Sequence, residues 1–433
     1  MHERLKRHNT VALRRQMEEV QWWPADRIAA FQLQRLRDLL QDVAAHVPYY
    51  RDLFARLGFD AASIQSTADL QRLPFLTKPV IRANTDALRH AQAQDLARFN
   101  TGGSSGEPLV FFIGKKRLSH DVAAKWRATR WWDVDIGDPE IVVWGSPIEL
   151  GKQDRLKRWR DKLLRTQLLS AFEMSEAKLD QFIVTIRSIK PSMLFGYPSA
   201  LTHIARHAKK RGVNMTDLGI KVAFVTSERL YDEQRSTISQ VFNCRVANGY
   251  GGRDAGFIAH ECPAGSMHLT ADDIVVEIVN DAGQVQPPGV AGEIVVTHLS
   301  TNDYPFIRYR TGDIGVLGAS PCSCGRGLPL LEDIQGRSTD FVVAADGTVM
   351  HGLSLIYILR DMPGVKAFKV IQETRALTRV LLTTDEYFSS DGSAQIISGF
   401  KQRLGAEVSV VVKLVDNIPA EKSGKFRYII SYA

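Results

Sequence analysis

Four cysteines in 433 residues are too few to staple a chain of this size. A disulfide framework is therefore excluded, and a reducing compartment, the cytoplasm, is the expected location. Apolar runs are equally scarce. None approaches the roughly 20 residues needed to cross a bilayer, and the basic start Met1-His2-Glu3-Arg4-Leu5-Lys6-Arg7-His8 lacks the apolar stretch of a signal peptide. No internal repeat or low-complexity segment interrupts the chain, and no Gly-Lys-Ser/Thr closes any of its glycine loops, which excludes a Walker-type NTPase.

What is present is an ordinary globular composition, 44% hydrophobic, with 55 Lys and Arg against 48 Asp and Glu and a formal charge of +7. This balance suits anionic small molecules such as nucleotides; no nucleic-acid partner is expected, and a membrane is the lesser expectation. Asn100-Thr101-Gly102-Gly103-Ser104-Ser105-Gly106-Glu107-Pro108 is the densest glycine and hydroxyl cluster. Glycine lets backbone N–H groups turn toward an anion, and Thr101, Ser104 and Ser105 add hydroxyl donors, so the stretch reads as a phosphate cradle or, more plainly, as a turn between two strands.

From Trp22 to about Ala97 the pattern is helical, with Phe31, Leu33, Leu36, Leu39, Leu40 and Val43 at three- and four-residue steps before Val47-Pro48. Further helices are expected over 117–132, 176–190, 199–211 and 232–242, and buried strands at Ile141–Trp144, Met193–Phe195 and Val222–Val225. This alternation predicts an α/β fold with sheets and helical layers. Residues 150–165 form a basic helix, expected as a solvated cover for the core, the lesser alternative being a helix that lies on an anionic membrane or acceptor. A hairpin follows from Ile274–Val279 and Glu293–Thr297. After Gly336-Arg337-Ser338-Thr339-Asp340 the composition changes to a tail of strand, helix, two strands, helix and strand, about a hundred residues, enough for a small α+β lid.

Cys262, His268, Cys322 and Cys324 flank this hairpin region, and three thiolates with one imidazole make a closed tetrahedral set for structural Zn²⁺, the alternative being buried free thiols. Cys244 reads as core.

The glycine loop is followed in order by Asn248-Gly249-Tyr250-Gly251-Gly252-Arg253-Asp254, Tyr309-Arg310-Thr311-Gly312-Asp313, Gly336-Arg337-Ser338-Thr339-Asp340 and Glu421-Lys422-Ser423-Gly424-Lys425. In this order, with His46-Val47-Pro48-Tyr49-Tyr50-Arg51 and Leu73-Pro74-Phe75-Leu76-Thr77-Lys78, the chain resembles the adenylate-forming superfamily of acyl-CoA synthetases. Within it, the phenylacetate-CoA ligase branch with its capsule-biosynthesis relatives is the nearest pattern. The resemblance implies a large domain, with a helical part at 1–97 and an ATP- and acid-binding core at 98–337, and a C-terminal lid at 338–433. It implies ATP and Mg²⁺ as cofactors, a small aromatic carboxylic acid as substrate, and coenzyme A as the thiol acceptor. An amine or hydroxyl acceptor, adenylyl transfer to a hydroxyl, and an adenylate-binding protein that has lost turnover are the alternatives; a homodimer is compatible with all of them.

Residue by residue, the resemblance places Thr101, Gly102, Gly103, Ser104, Ser105, Gly106, Ser227, Glu228, Tyr250, Gly251, Asp313 and Arg337 around ATP or AMP. Tyr250 would face the adenine and Asp313 would accept the ribose hydroxyls. Asp254 would ligate Mg²⁺ in a position where relatives carry Glu, and Glu107 stands where many carry Lys. Trp144, Gly145, Tyr197 and Pro198 would line the acid pocket, although aromatic loops of this kind also serve as plain core. Thr339 and Asp340 mark the hinge. Lys425, the catalytic lysine by the family pattern, would bridge the attacking carboxylate and the α-phosphate.

Overall fold

Leu36, Leu39, Leu40 and Val43 are fully buried along one stripe of a helix that runs over Ala25–His46, as their spacing requires. The structure, a computed structural model, describes residues 9–100, 109–145, 163–171, 174–335, 341–360, 362–418 and 429–433. The chain divides into two compact units, one made of Met1–Thr101, Leu109–Asp135 and Ala247–Gly336, the other of Gly102–Pro108, Ile136–Val246 and Arg337–Ala433. No helix among the described residues is long and apolar enough to cross a membrane.

In the first unit, helix α1 (Thr10–Val20) precedes α2 (Ala25–His46), α3 (Pro48–Leu57) and the short α4 (Lys78–Ala83). Val47 adopts extended backbone and Pro48 opens α3 at its first turn, where a missing N–H costs nothing; Gly58 closes it in the left-handed region at φ 59°. Helical structure stops short of the predicted limit at Ala97. Pro74 and Pro79 break the pattern, 84–96 is turns, and Ala97–Asn100 forms strand β1, paired antiparallel with β2 (Val110–Ile113). The glycine loop thus joins two strands of a hairpin. Helix α5 (Lys115–Arg130) follows.

The rest of this unit is antiparallel sheet. Strands β7 (Arg245–Gly252), β8 (Gly256–Glu261), β9 (Met267–Leu269), β10 (Ile274–Val279), β11 (Ala291–His298), β12 (Tyr309–Leu317) and β13 (Leu330–Gln335) lie in the order β10-β11-β12-β13-β9-β8-β7. Polar side chains tie the helices to it. Gln32 donates to the carbonyls of Ala271 and Ile274 at 2.8 and 3.0 Å, and the buried Arg127 pairs with Asp272 at 3.1 Å. Asp273 is buried beside His120 at 3.0 Å and accepts from Ser300 Oγ at 2.6 Å. Burial would raise its pKa, but His120, His298 and Arg35 outweigh that and hold it well below the ordinary value.

In the second unit β3 (Glu140–Trp144), β4 (Thr166–Ser170), β5 (Met193–Gly196) and β6 (Val222–Thr226) are parallel, in the order β6-β5-β3-β4; α6 (Glu176–Ile189) links β4 to β5, α7 (Pro198–Lys210) links β5 to β6, and α8 (Asp232–Phe242) follows β6. Cys244 lies in their core, as expected. Beyond residue 340 the tail is richer in strands than its sequence suggests. A hairpin of β14 (Phe341–Val343) and β15 (Val349–His351) precedes α9 (Leu353–Arg360). Then β16 (Val365–Thr374), β17 (Leu377–Thr384), α10 (Gly392–Leu404), β18 (Ser409–Leu414) and β19 (Ile429–Ser431) build a sheet in the order β18-β17-β16-β19, around its own hydrophobic core. The three-residue strands of the hairpin are too short to show a period of two.

Candidate functional site

Asn248 to Gly252 run along β7, and the chain turns through Arg253, Asp254 and Ala255 into β8. Glycine is required here. A Cβ on Gly251 would stand 2.2 Å from the Gly256 carbonyl oxygen, and Gly256 itself has φ +82° with His298 2.7 Å from where a Cβ would sit. Tyr250 donates its hydroxyl to Asp313 Oδ2 at 2.9 Å. Burial, reinforced by the charge of Asp313, pushes the Tyr250 pKa well above the ordinary phenol value, so the group stays a donor at neutral pH. Asp313 follows Gly312, whose φ is 78°, and its own N–H donates to Thr311 Oγ1 at 3.1 Å.

Asp254 accepts from the Ala255 N–H at 3.1 Å and from the Tyr309 hydroxyl at 2.6 Å. One residue upstream, the Arg253 carbonyl accepts from Nη2 of the buried Arg117 on α5 at 2.7 Å. Tyr309 is itself pinned. Its ring meets Phe306 edge-on at 5.1 Å, Phe306 meets Phe111 at 5.6 Å, and Phe111 stacks on Phe99 at 6.2 Å, so a line of aromatic rings joins both strands that flank the glycine loop to the strand that carries Asp313. The phrase Leu73–Lys78 belongs to the same neighbourhood: Leu76 exchanges backbone hydrogen bonds with Arg308 and Arg310 at 2.9 and 3.0 Å. Arg117 and the role of Tyr309 are absent from the sequence expectations.

In the second unit, Trp144, Gly145, Tyr197, Pro198, Ser227 and Glu228 all sit at or just beyond the C-terminal ends of the adjacent parallel strands β3, β5 and β6, where open α/β sheets bind ligands. Trp144 and Tyr197 stack at 4.4 Å with their planes 22° apart, and Phe195 continues the stack at 6.1 Å from Trp144. A Cβ on Gly196 would stand 2.2 Å from the Val143 carbonyl oxygen, so the close approach of β5 to β3 depends on this glycine. Ser227 is held at φ 71°, a strained conformation for a residue with a side chain. Glu228 accepts from Ser199 Oγ and, at 3.4 Å, from the Ser199 N–H in the first turn of α7, where the helix dipole favours a carboxylate.

The cysteine and histidine set converges. Cys262, His268, Cys322 and Cys324 each present a ligand atom, all within 4.8 Å of one another. Cys262 Sγ and Cys322 Sγ are 3.7 Å apart, and Cys324 Sγ is 3.3 Å from His268 Nε2. Two sulfurs bound at about 2.3 Å to a tetrahedral ion stand about 3.8 Å apart, so the spacing fits Zn²⁺. His268 Nδ1 faces the Leu328 carbonyl at 3.3 Å, an outer contact that orients the ring for metal binding through Nε2.

Thr101, Gly102, Gly103, Ser104, Ser105, Gly106, Glu107, Arg337, Thr339, Asp340 and Lys425 lie outside the described residues, as does the basic stretch apart from 163–165.

A sequence model of AMP-binding enzymes matches residues 169–301, and one of the CapK C-terminal domain matches residues 342–432. Protein CapK of Staphylococcus aureus is 23% identical, over 92% of this chain and 88% of its own length. A phenylacetate-coenzyme A ligase of Thermus thermophilus is 24% identical, over 90% and 86%. Among solved structures, 2-hydroxyisobutyryl-CoA ligase in complex with 2-HIB-AMP and CoA in the thioesterification state superimposes with a TM-score of 0.69 at 20% identity, covering 95% of this chain and 91% of that one, a likeness of fold.

Proposed function

The chain belongs to the adenylate-forming superfamily, in the phenylacetate-CoA ligase-like branch with its capsule relatives, and on that footing we propose that it is an ATP-dependent, AMP-forming ligase for a small aromatic carboxylic acid, with coenzyme A as acceptor. The observation that carries this reading is the paired seating of Asp254 and Asp313 by Tyr309 and Tyr250. Two acceptors are preset there by two phenols, one buried (Tyr309) and one half-buried (Tyr250), an arrangement suited to a ribose and to a hydrated Mg²⁺.

In the first half-reaction a substrate carboxylate oxygen attacks the α-phosphorus, the bond to the bridging oxygen breaks, and pyrophosphate leaves; Asp254 would hold the Mg²⁺ that offsets the phosphate charge. In the second, a thiolate attacks the acyl carbon and AMP departs. Thr101 to Gly106 would cradle the phosphates, Arg337 would contact phosphate or ribose, and Lys425 would neutralise charge as the adenylate forms. Ser227 and Glu228 would border the nucleotide, and the stack of Trp144 on Tyr197 gives the acid a flat aromatic wall. Residues 338–433 would act as the lid, turning at Thr339 and Asp340. Structural Zn²⁺ would be held by Cys262, His268, Cys322 and Cys324, away from the reacting atoms.

A second reading keeps the first half-reaction and passes the adenylate to an amine or hydroxyl in place of coenzyme A. Incubation with ATP, Mg²⁺ and a panel of aryl and aliphatic acids, followed by mass detection of acyl-AMP, tests the first step; adding coenzyme A tests the second. Acyl-AMP without a thioester would remove coenzyme A as acceptor. No acyl-AMP or pyrophosphate exchange with any acid would remove the ligase reading.

A further inference from the structure

Asp42 and His46 stand one turn apart at the C-terminal end of α2, and His90 is brought onto them by a loop far away in sequence. Two backbone bonds hold that loop: His90 N–H to the Asp303 carbonyl at 3.1 Å and Ala91 N–H to the His46 carbonyl at 2.9 Å. The imidazole rings of His46 and His90 stack at 4.8 Å, 28° from parallel. Asp42 Oδ1 lies 3.1 Å from His46 Nδ1 and 3.5 Å from His90 Nε2, while Asp42 Oδ2 is fixed by Asn302 Nδ2 at 2.6 Å. One ligand atom from each of the three lies within 4.8 Å of the others, and all three residues are half-buried.

We propose that Asp42, His46 and His90 form a second metal site, for a divalent first-row ion of the zinc class, distinct from the cysteine cluster. Donors bound at about 2.0–2.1 Å at tetrahedral or octahedral angles stand about 2.9–3.4 Å apart, close to the 3.1 and 3.5 Å at which Asp42 Oδ1 stands from the two rings. Two imidazoles and one carboxylate select Zn²⁺, Co²⁺ or Ni²⁺ over Mg²⁺ and Ca²⁺, which prefer all-oxygen sets. A helix C-terminus favours a cation at this position, since the carbonyls of the last turn carry the negative end of the dipole. Asn302 is the positioning residue. Its amide oxygen accepts from Lys116 Nζ at 2.8 Å, so the lysine's charge is tied to the face of the amide away from Asp42. Two local arrangements must change on binding. His46 Nδ1 faces the Asp42 carbonyl at 3.0 Å as well as Oδ1, so it holds the proton in the metal-free form and must pass it to Nε2. His90 Nδ1 accepts the Gln92 N–H at 3.0 Å, so there Nε2 holds the proton. Binding moves that proton to Nδ1 and leaves the exposed Gln92 N–H to water.

The test titrates Co²⁺ into the protein as purified, with the cysteine cluster in its native state, and reads both calorimetry and the visible spectrum. One equivalent should bind with weak d–d bands and without the intense near-ultraviolet thiolate charge transfer that the cysteine cluster would give. His46→Ala and His90→Ala should each weaken this binding by 10-fold or more. Asn302→Ala should weaken it about 10- to 100-fold, as loss of an outer partner does. Asp42→Asn, which keeps the shape and removes the charge, guards against misfolding of the smaller variants and should also weaken it. No added equivalent, a thiolate-type spectrum, or binding unchanged in folded His90→Ala and Asp42→Asn would overturn the site.

Discussion

Tyr309 donates its hydroxyl to Asp254 at 2.6 Å across 55 residues of sequence, and so decides which way the carboxylate faces. Tyr309→Phe removes one hydrogen bond to a carboxylate, worth about 1.5–3 kcal/mol. If that orientation serves the transition state, pyrophosphate exchange should fall about 10- to 100-fold while the melting temperature changes little. An unchanged rate would mean that Asp254 does not depend on Tyr309.

Replacing Cys322 by Ser should release about one zinc per chain and lower the melting temperature, because a closed zinc site contributes directly to folding. Elemental analysis of untreated wild-type protein checks the premise, and finding no zinc there would end this assignment.

His260 is fully buried, and burial, aided by the charge of Arg127, depresses its pKa from 6.5 to about 3. Between these values the unfolded chain binds the extra proton, so stability rises with pH there: the contribution is complete above about 6.5 and is lost on acidification toward 3. From pH 6.5 to pH 5 the loss should be about 2 kcal/mol. Denaturant unfolding at the two values should show it in the wild type and a flatter profile in His260→Phe. Parallel profiles would rule His260 out as the titrating group.

Lys425→Ala should slow acyl-adenylate formation by about 10²–10³, the loss expected when a preorganised charge leaves a transition state. Thioester formation from synthetic acyl-AMP should be much less affected. Equal loss of both half-reactions in a folded variant would sink the role proposed for Lys425 and for a lid that turns between two positions.

Long periodic elements were legible from the residues alone. The helix over Asp232–Phe242 and the strand over Ile274–Val279 fall where their patterns put them, since burial of one face or of a continuous run leaves its mark on composition. Strand β4 was not legible, because Thr166–Ser170 is short and polar at both ends. For the candidate site, the resemblance pointed to Tyr250, Asp254 and Asp313 and residue types pointed to the cysteine set, but neither said who meets whom. Ser199 with Glu228 and Arg117 with the Arg253 carbonyl are contacts between distant segments, and neither leaves a periodic trace.

The first unit is stitched from three separated stretches of chain. Gln32 finds its carbonyl partners 239 and 242 residues later, and Leu73 waits for Arg308 across 235. At about 5–20 residues per second a ribosome takes roughly 12–50 s to make that much chain. During that interval the Gln32 amide and the Leu73 carbonyl are without their final partners, while β3 to β6 emerge within one continuous stretch of chain. The ties between the early helices and the antiparallel sheet should therefore be the last to form, after the parallel strands have paired.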